Sequence, residues 1–185
     1  MDAKKFFDEI KASLFEHGIT QVQVDSINAI FASCAKHGIT MPEQIAYVFA
    51  TAYHEARLKP IEEVGKGAGH DYGKHLKMSR APYTTPNQLY YGRGFCQITW
   101  YENYETFGKL LGVDLLNHPE LAMSPQYASE IIVMGMQKGM FTGKMLVTYF
   151  NSQIKDPINA RKIINGMDKA QLIAGYYGIF LHALT

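Results

Sequence analysis

The sequence predicts a mostly α-helical fold interrupted by one long irregular segment. Three observations carry this: apolar residues recur at three- and four-residue steps over most of the chain, cap residues stand where those stripes begin, and the pattern stops between Arg57 and Tyr90. Val24, Ile27, Phe31 and Cys34 form one stripe, after Thr20 as N-cap and before Gly38 as terminator. Ile45, Val48 and Ala52 form the next, with Pro42 in the first turn, where a missing N–H costs little. Glu55 continues that stripe and so points toward its apolar side. The run "SPQYASEIIVMGMQKG" offers Ser124 as N-cap and Pro125 at the first helical position. It is too apolar for a surface helix and belongs in the core, with Met134 and Met136 as fillers. Leu172, Ile173, Tyr176, Tyr177 and Phe180 make a last helix, for which Asp168 is the expected cap.

With 47% hydrophobic residues among 185, the chain can bury a core without disulfides or metals, and residues 1–185 read as a single domain. Its 18 basic and 17 acidic residues nearly cancel, so overall charge points to no nucleic-acid partner. Cys34 and Cys96 are too few for a disulfide framework and read as reduced thiols. The opening "MDAKKFFDEIKASLF" mixes acids among its lysines and lacks an unbroken apolar stretch. It therefore reads as an amphipathic helix rather than a signal peptide or a membrane span.

The irregular segment from Arg57 to Tyr90 holds four glycines and three prolines. Segments of this length without periodicity are uncommon in compact domains unless they are functional or disordered. It leaves room for a small β-hairpin, its glycines permit close approach of a ligand, and Lys66, His70, Lys74, His75 and Lys77 supply donors. A solvated insertion is the plain alternative. On its N-terminal side, Glu55 has two readings: a desolvated carboxyl kept protonated for general acid work, or a solvated helix end paired with Arg57. Glu62 and Glu63 follow in a polar, basic setting that keeps a carboxylate ionised, and two acids in contrasting environments can divide acid and base roles. A zinc peptidase pattern fails because Leu58 stands where the second histidine of HExxH is needed. His70, Asp71 and His75 make only a weak ligand set, and no metal or other cofactor is expected. After the segment, "YYGRGFCQITW" at 90–100 concentrates hydrogen-bonding and aromatic groups beside Gly92 and Gly94.

"ATAYHEARLKPIEEVGKGAG", "YYGRGFCQITWYENY" and "NARKIINGMDKAQLIAGY" together resemble the family 19 glycoside hydrolases, most closely the phage and prophage endolysins of that group, over about residues 20–183. The resemblance implies a lysozyme-like, two-lobed helical fold with the substrate cleft between the lobes. It implies Glu55 as general acid and, on the following loop, Glu63 rather than Glu62 as general base. Gln97 and Thr99 match a substrate-binding glutamine and a hydroxyl that holds the attacking water. Asn103 and Asn165 match asparagines that bond the sugar and the water, and Tyr91 stands where the family places an aromatic lining the cleft. Arg93 is expected to brace the lobes by pairing with an acid such as Glu55 or Glu63, and Trp100 to lie in the core.

The implied reaction is inverting, cofactor-free hydrolysis of β-1,4 glycosidic bonds. Lys66, Lys74, Lys77 and Arg80 favour an anionic glycan, so the expected substrate is bacterial peptidoglycan and the expected role that of an endolysin, with chitin as the alternative. A peptidoglycan amidase or endopeptidase using Cys96 and a distant histidine such as His118 is a further alternative. The expected protein is a monomer made in the host cytoplasm without a signal peptide, acting on the cell wall once the inner membrane is breached. Weak contact of its amphipathic helices with the outer membrane is left open.

Overall fold

The computed structural model describes residues 2–70, 72 and 89–185. Its helices are α1 (Ala3–Leu14), α2 (Gln21–Lys36), α3 (Pro42–Ala56), α4 (Tyr101–Leu111), α5 (Pro125–Lys138), α6 (Leu146–Tyr149) and α7 (Ala170–Leu184), with 3-10 turns at Pro119–Met123 and Asn159–Ile163. Two short strands, β1 (Ile61–Glu62) and β2 (Arg93–Gly94), pair antiparallel with Ile61 opposite Gly94 and Glu62 opposite Arg93.

Three helix starts follow from their cap residues, Asp2 at α1, Thr20 at α2 and Ser124 at α5. Gln23 accepts the Thr20 N–H at 2.9 Å to close a capping box at α2, and Ser124 Oγ accepts the Tyr127 N–H at 3.2 Å at α5. The start of α7 differs from expectation. It follows Lys169, which takes a left-handed conformation at φ 59°, and no side chain caps it. Asp168 lies one residue too early, and its carbonyl accepts from Arg161 Nε at 3.1 Å. Among the described residues, one strand pair reaches out of the irregular segment: β1 lies in it and its partner beyond it, in the glycine-containing motif. The pairing therefore clamps the two ends of the segment together.

Two hydrophobic cores account for the two lobes. The larger gathers Phe6, Ile27, Phe49, Phe150 and Phe180 from α1, α2, α3, α7 and the end of α6. The smaller gathers Tyr90, Ile98, Tyr104, Phe107 and Leu115. Helix α5 belongs to both, giving Ile132, Val133 and Met136 to the first and Ile131 and Met134 to the second, which is why its sequence is apolar all round. Gly135 has no room for a side chain, since a Cβ there would lie 2.3 Å from the Phe141 ring that packs against both cores. Among the described residues, no helix is long and apolar enough to cross a membrane.

One acid interrupts that apolar surface. Glu130 on α5 is buried and takes hydrogen bonds from Lys36 Nζ at 2.9 Å and His37 Nε2 at 2.6 Å, at the end of α2. Burial alone would raise its pKa, but the bonds from His37 and Lys36 outweigh burial and hold the carboxyl below its ordinary 4.5. A depressed carboxyl contributes stability that is complete above the unfolded-state value and is lost as pH falls through the folded-state value. Glu130→Gln should therefore cost about 1 to 2 kcal/mol near neutrality. In thermal melts, the gap to the wild type should close as pH drops below 4.5. A gap that stays constant through acid pH would show that the carboxylate charge contributes nothing.

Candidate active site

Glu55 sits one residue before the end of α3, where the helix closes through two left-handed residues, Arg57 at φ 52° and Leu58 at φ 58°. This costly exit is held from α2, since Gln23 Nε2 donates to the Arg57 carbonyl at 2.9 Å. The Glu55 carboxyl is neither simply desolvated nor paired with Arg57. Its Oε1 accepts from Arg161 NH1 at 2.5 Å, with the Glu55 side chain 25% exposed and that of Arg161 only 5%. Arg57 instead lies over the Tyr53 ring at 4.6 Å. Arg161 belongs to the Asn159–Ile163 turn, which Asp156 anchors by accepting the Asn159 backbone and side-chain N–H groups at 3.0 and 2.8 Å. The Asn159 N–H also holds the Asp156 carboxyl below its ordinary range. Two residues past that turn stands Asn165, whose N–H donates to the Arg161 carbonyl at 3.1 Å and whose side chain is exposed. Beside Glu55, burial lowers the pKa of His54.

The glycine-containing motif folds back on itself: Arg93 N–H donates to the Ile98 carbonyl at 3.3 Å and Ile98 N–H to the Arg93 carbonyl at 3.1 Å. Gly94 at φ 86° and Gln97 at φ 52° make the reversal. Phe95 enters the larger core and Ile98 the smaller, so the turn spans the junction of the lobes. Gln97 spends its side-chain N–H groups on the carbonyls of Ile61 at 2.8 Å and Gly94 at 3.1 Å, tying β1 to the turn and leaving its oxygen for other partners. Burial pushes the Cys96 thiol well above its ordinary value, and the Glu55 carboxylate adds to the rise.

Arg93 is fully buried and its carboxylate is Glu62, with Nε 3.8 Å from Oε1, rather than Glu55 or Glu63. The antiparallel register decides this, because Glu62 stands opposite Arg93. Tyr91 is likewise not an exposed cleft aromatic. It is 1% exposed, its ring lies 3.6 Å from the Arg93 guanidinium carbon, and its hydroxyl donates to Glu62 Oε1 at 2.7 Å. Burial would raise the pKa of Glu62, but Tyr91, Lys66 and Arg93 outweigh it and hold the carboxyl low.

Glu63 has different partners. Its Oε2 accepts the Gly92 N–H at 2.8 Å and its Oε1 the Tyr72 hydroxyl at 3.1 Å. A carboxylate offers about four lone-pair sites, and among the described residues these two donors take two of them. Thr99 is half-buried and its carbonyl accepts Asn103 Nδ2 at 2.7 Å, with Asn103 exposed in the first turn of α4. Trp100, expected in the core, is 39% exposed at φ 73°, because it serves as the N-cap position that starts α4. Sequence reasoning assigned no role to Arg161 or Tyr72. The only signal for Arg161 was its place four residues before Asn165.

Among the described residues, no three histidine, cysteine or acidic side chains converge to hold a metal. His70 stacks on Tyr72, with ring centroids 5.2 Å apart. Asp71, Lys74, His75, Lys77 and Arg80 lie outside the described residues. Cys96 lacks the features of a nucleophile, since its environment disfavours the thiolate, and the proposed partner His118 contacts Glu120 at 3.3 Å.

Residues 23–135 match the glycoside hydrolase family 19 model, described as chitinase class I. The chain belongs to that family. An endochitinase of Arabidopsis thaliana, At2g43620, is 40% identical over 96 residues, which are 51% of this chain and 32% of that protein. The matched region thus spans about a third of that relative's length. A solved bacterial family 19 chitinase superposes with a TM-score of 0.63 at 21% identity, covering 98% of this chain and 93% of the other. The class IV chitinase of Zea mays gives 0.60 at 23% identity, covering 99% and 92%. These structural likenesses establish the shared helical fold.

In this family 19 chain, Gly92 is where the backbone comes closest to the loop carboxylate. A Cβ there would lie 2.8 Å from Gln97 Oε1 and 3.3 Å from Glu63 Cβ. Gly92→Ala should displace one of the two side chains, a shift that a crystal structure of the variant would read directly. Gln97 and Glu63 found unmoved in that variant would show that this close approach is dispensable.

Proposed function

We propose that this chain hydrolyses β-1,4 glycosidic bonds of a glycan built on N-acetylglucosamine, with Glu55 as general acid and Glu63 as general base. The observation that carries the reading is the contrast between the two loop carboxylates. Glu62 is committed to Tyr91, Lys66 and Arg93, whereas Glu63 is held by two neutral donors and keeps accepting capacity for a water. Glu55 protonates the departing glycosidic oxygen. Glu63 takes a proton from the water, which Thr99 and Asn165 help to hold, and attack from the face opposite the leaving group inverts the anomeric centre. Arg161 orients Glu55 through its hydrogen bond to Oε1, while Gln97 and Asn103 bind sugar N-acetyl and hydroxyl groups. No step calls on a metal or cofactor.

The similar proteins are chitinases by name, which favours a chitin-type glycan over the peptidoglycan that the sequence favoured. Peptidoglycan remains the second reading because its strands carry the same β-1,4-linked N-acetylglucosamine unit. Its support was a basic segment. Of those residues, Lys66 pairs with Glu62 at 3.4 Å and Lys74, Lys77 and Arg80 lie outside the described residues. A lytic role after breach of the host membrane would accompany that second substrate.

Mass spectrometry of the products from chitohexaose and from purified peptidoglycan, with wild type and Glu55→Gln, tests these readings together. Shorter chitooligosaccharides from the wild type are expected. Loss of about 10²- to 10⁴-fold in a variant shown by circular dichroism to be folded is expected for the general acid. Saturated muropeptides with chitohexaose untouched would move the substrate to peptidoglycan. Released stem peptides would overturn the glycosidase reading, and full activity of Glu55→Gln would overturn the acid assignment.

A further inference from the structure

Tyr72 is fixed on four sides. Its ring stacks on His70, with centroids 5.2 Å apart and planes 16° from parallel, and meets the Trp100 ring edge-on at 5.1 Å and 88°. Its carbonyl accepts the Tyr101 N–H at 3.4 Å, at the start of α4. Its hydroxyl donates to Glu63 Oε1 at 3.1 Å. Glu63 stands directly after β1, and its other oxygen is taken by the Gly92 N–H. Two donors, one from the irregular segment and one from the glycine-containing motif, therefore hold one oxygen each of this carboxylate.

We propose that Tyr72 is a positioning residue of the hydrolytic site, holding the Glu63 carboxylate in the orientation in which it takes a proton from water. The inference rests on the reading of Glu63 as general base. With only the Gly92 N–H, the carboxylate could rotate about its last side-chain bond. With a donor on each oxygen, that rotation is restricted, which keeps the base in one orientation from encounter to encounter. Trp100 and His70 fix the ring, so the hydroxyl arrives without a search through rotamers.

The test is Tyr72→Phe, which keeps the ring and its stacking and removes only the hydroxyl, assayed on whichever of chitohexaose and uncrosslinked peptidoglycan strands the wild type cleaves. The expected result is a fall in kcat of about tenfold with KM within about twofold, since the interaction acts on the chemical step. In a Glu63→Gln background, followed by residual turnover over long incubations, the same change should cost nothing further. An unchanged kcat in Tyr72→Phe beside an inactive Glu63→Gln would overturn the inference and leave the base assignment standing. Equal losses in both backgrounds would also overturn it, because Tyr72 would then act other than through Glu63, and so would a rise in KM alone. Wild-type turnover in Glu63→Gln would overturn the base assignment, and this inference with it.

Discussion

A guanidinium with no exposed surface sits at the junction of β1 and β2, and much of the site depends on keeping it paired. A buried charge without partners is costly, so Arg93 draws in whatever can satisfy it: the Leu89 carbonyl at 2.8 Å, the Tyr104 hydroxyl at 2.9 Å, the face of Tyr91 and the Glu62 carboxylate. Each contact has a structural consequence. The strand register sets Glu62 opposite Arg93, and the same register places Glu63 beside Gly92. Tyr104 brings the first turns of α4, and with them Asn103, next to the motif. The loop acid used in the proposed chemistry is thus positioned by a neighbour that is spent on structure.

The other carboxyl is organised by a different lobe. Glu55 stands at the end of a helix whose inner face packs in the larger core, and its partner Arg161 comes from a turn anchored by Asp156. The two acids therefore rest on separate supports, which meet where the Arg93–Ile98 turn sends Phe95 into one core and Ile98 into the other. Helix α5 runs through both cores and keeps those supports in a constant relation. Glu130, pinned by Lys36 and His37, fixes α5 against the end of α2.

Much of this was legible in the residues. The stripes and caps at Thr20, Pro42 and Ser124 mark α2, α3 and α5, because periodicity and capping act within about one helical turn. The position of Glu55 on α3 and the convergence of hydrogen-bonding groups in "YYGRGFCQITW" were also visible. The less successful expectations were local guesses about distant matters. Asp168 resembled a cap, but Arg161 occupies its carbonyl. Trp100 resembled a core residue, but its backbone starts α4 at the surface. Tyr91 resembled a cleft aromatic, but the buried Arg93 covers it.

By itself, then, the sequence determined the helical class, the starts of α2, α3 and α5, and the acids proposed for catalysis. Only the tertiary structure decided which partners those acids take. Arg93 could have paired with Glu55, Glu62 or Glu63 on residue type alone, and strand register selected Glu62. Glu55 met Arg161 across 106 residues of chain, a partnership that no spacing encodes. The reason is the range of the forces concerned. Capping and periodicity are settled among neighbours in sequence, whereas a buried ion pair forms only after packing has brought distant segments together and excluded the water that would otherwise satisfy each charge separately.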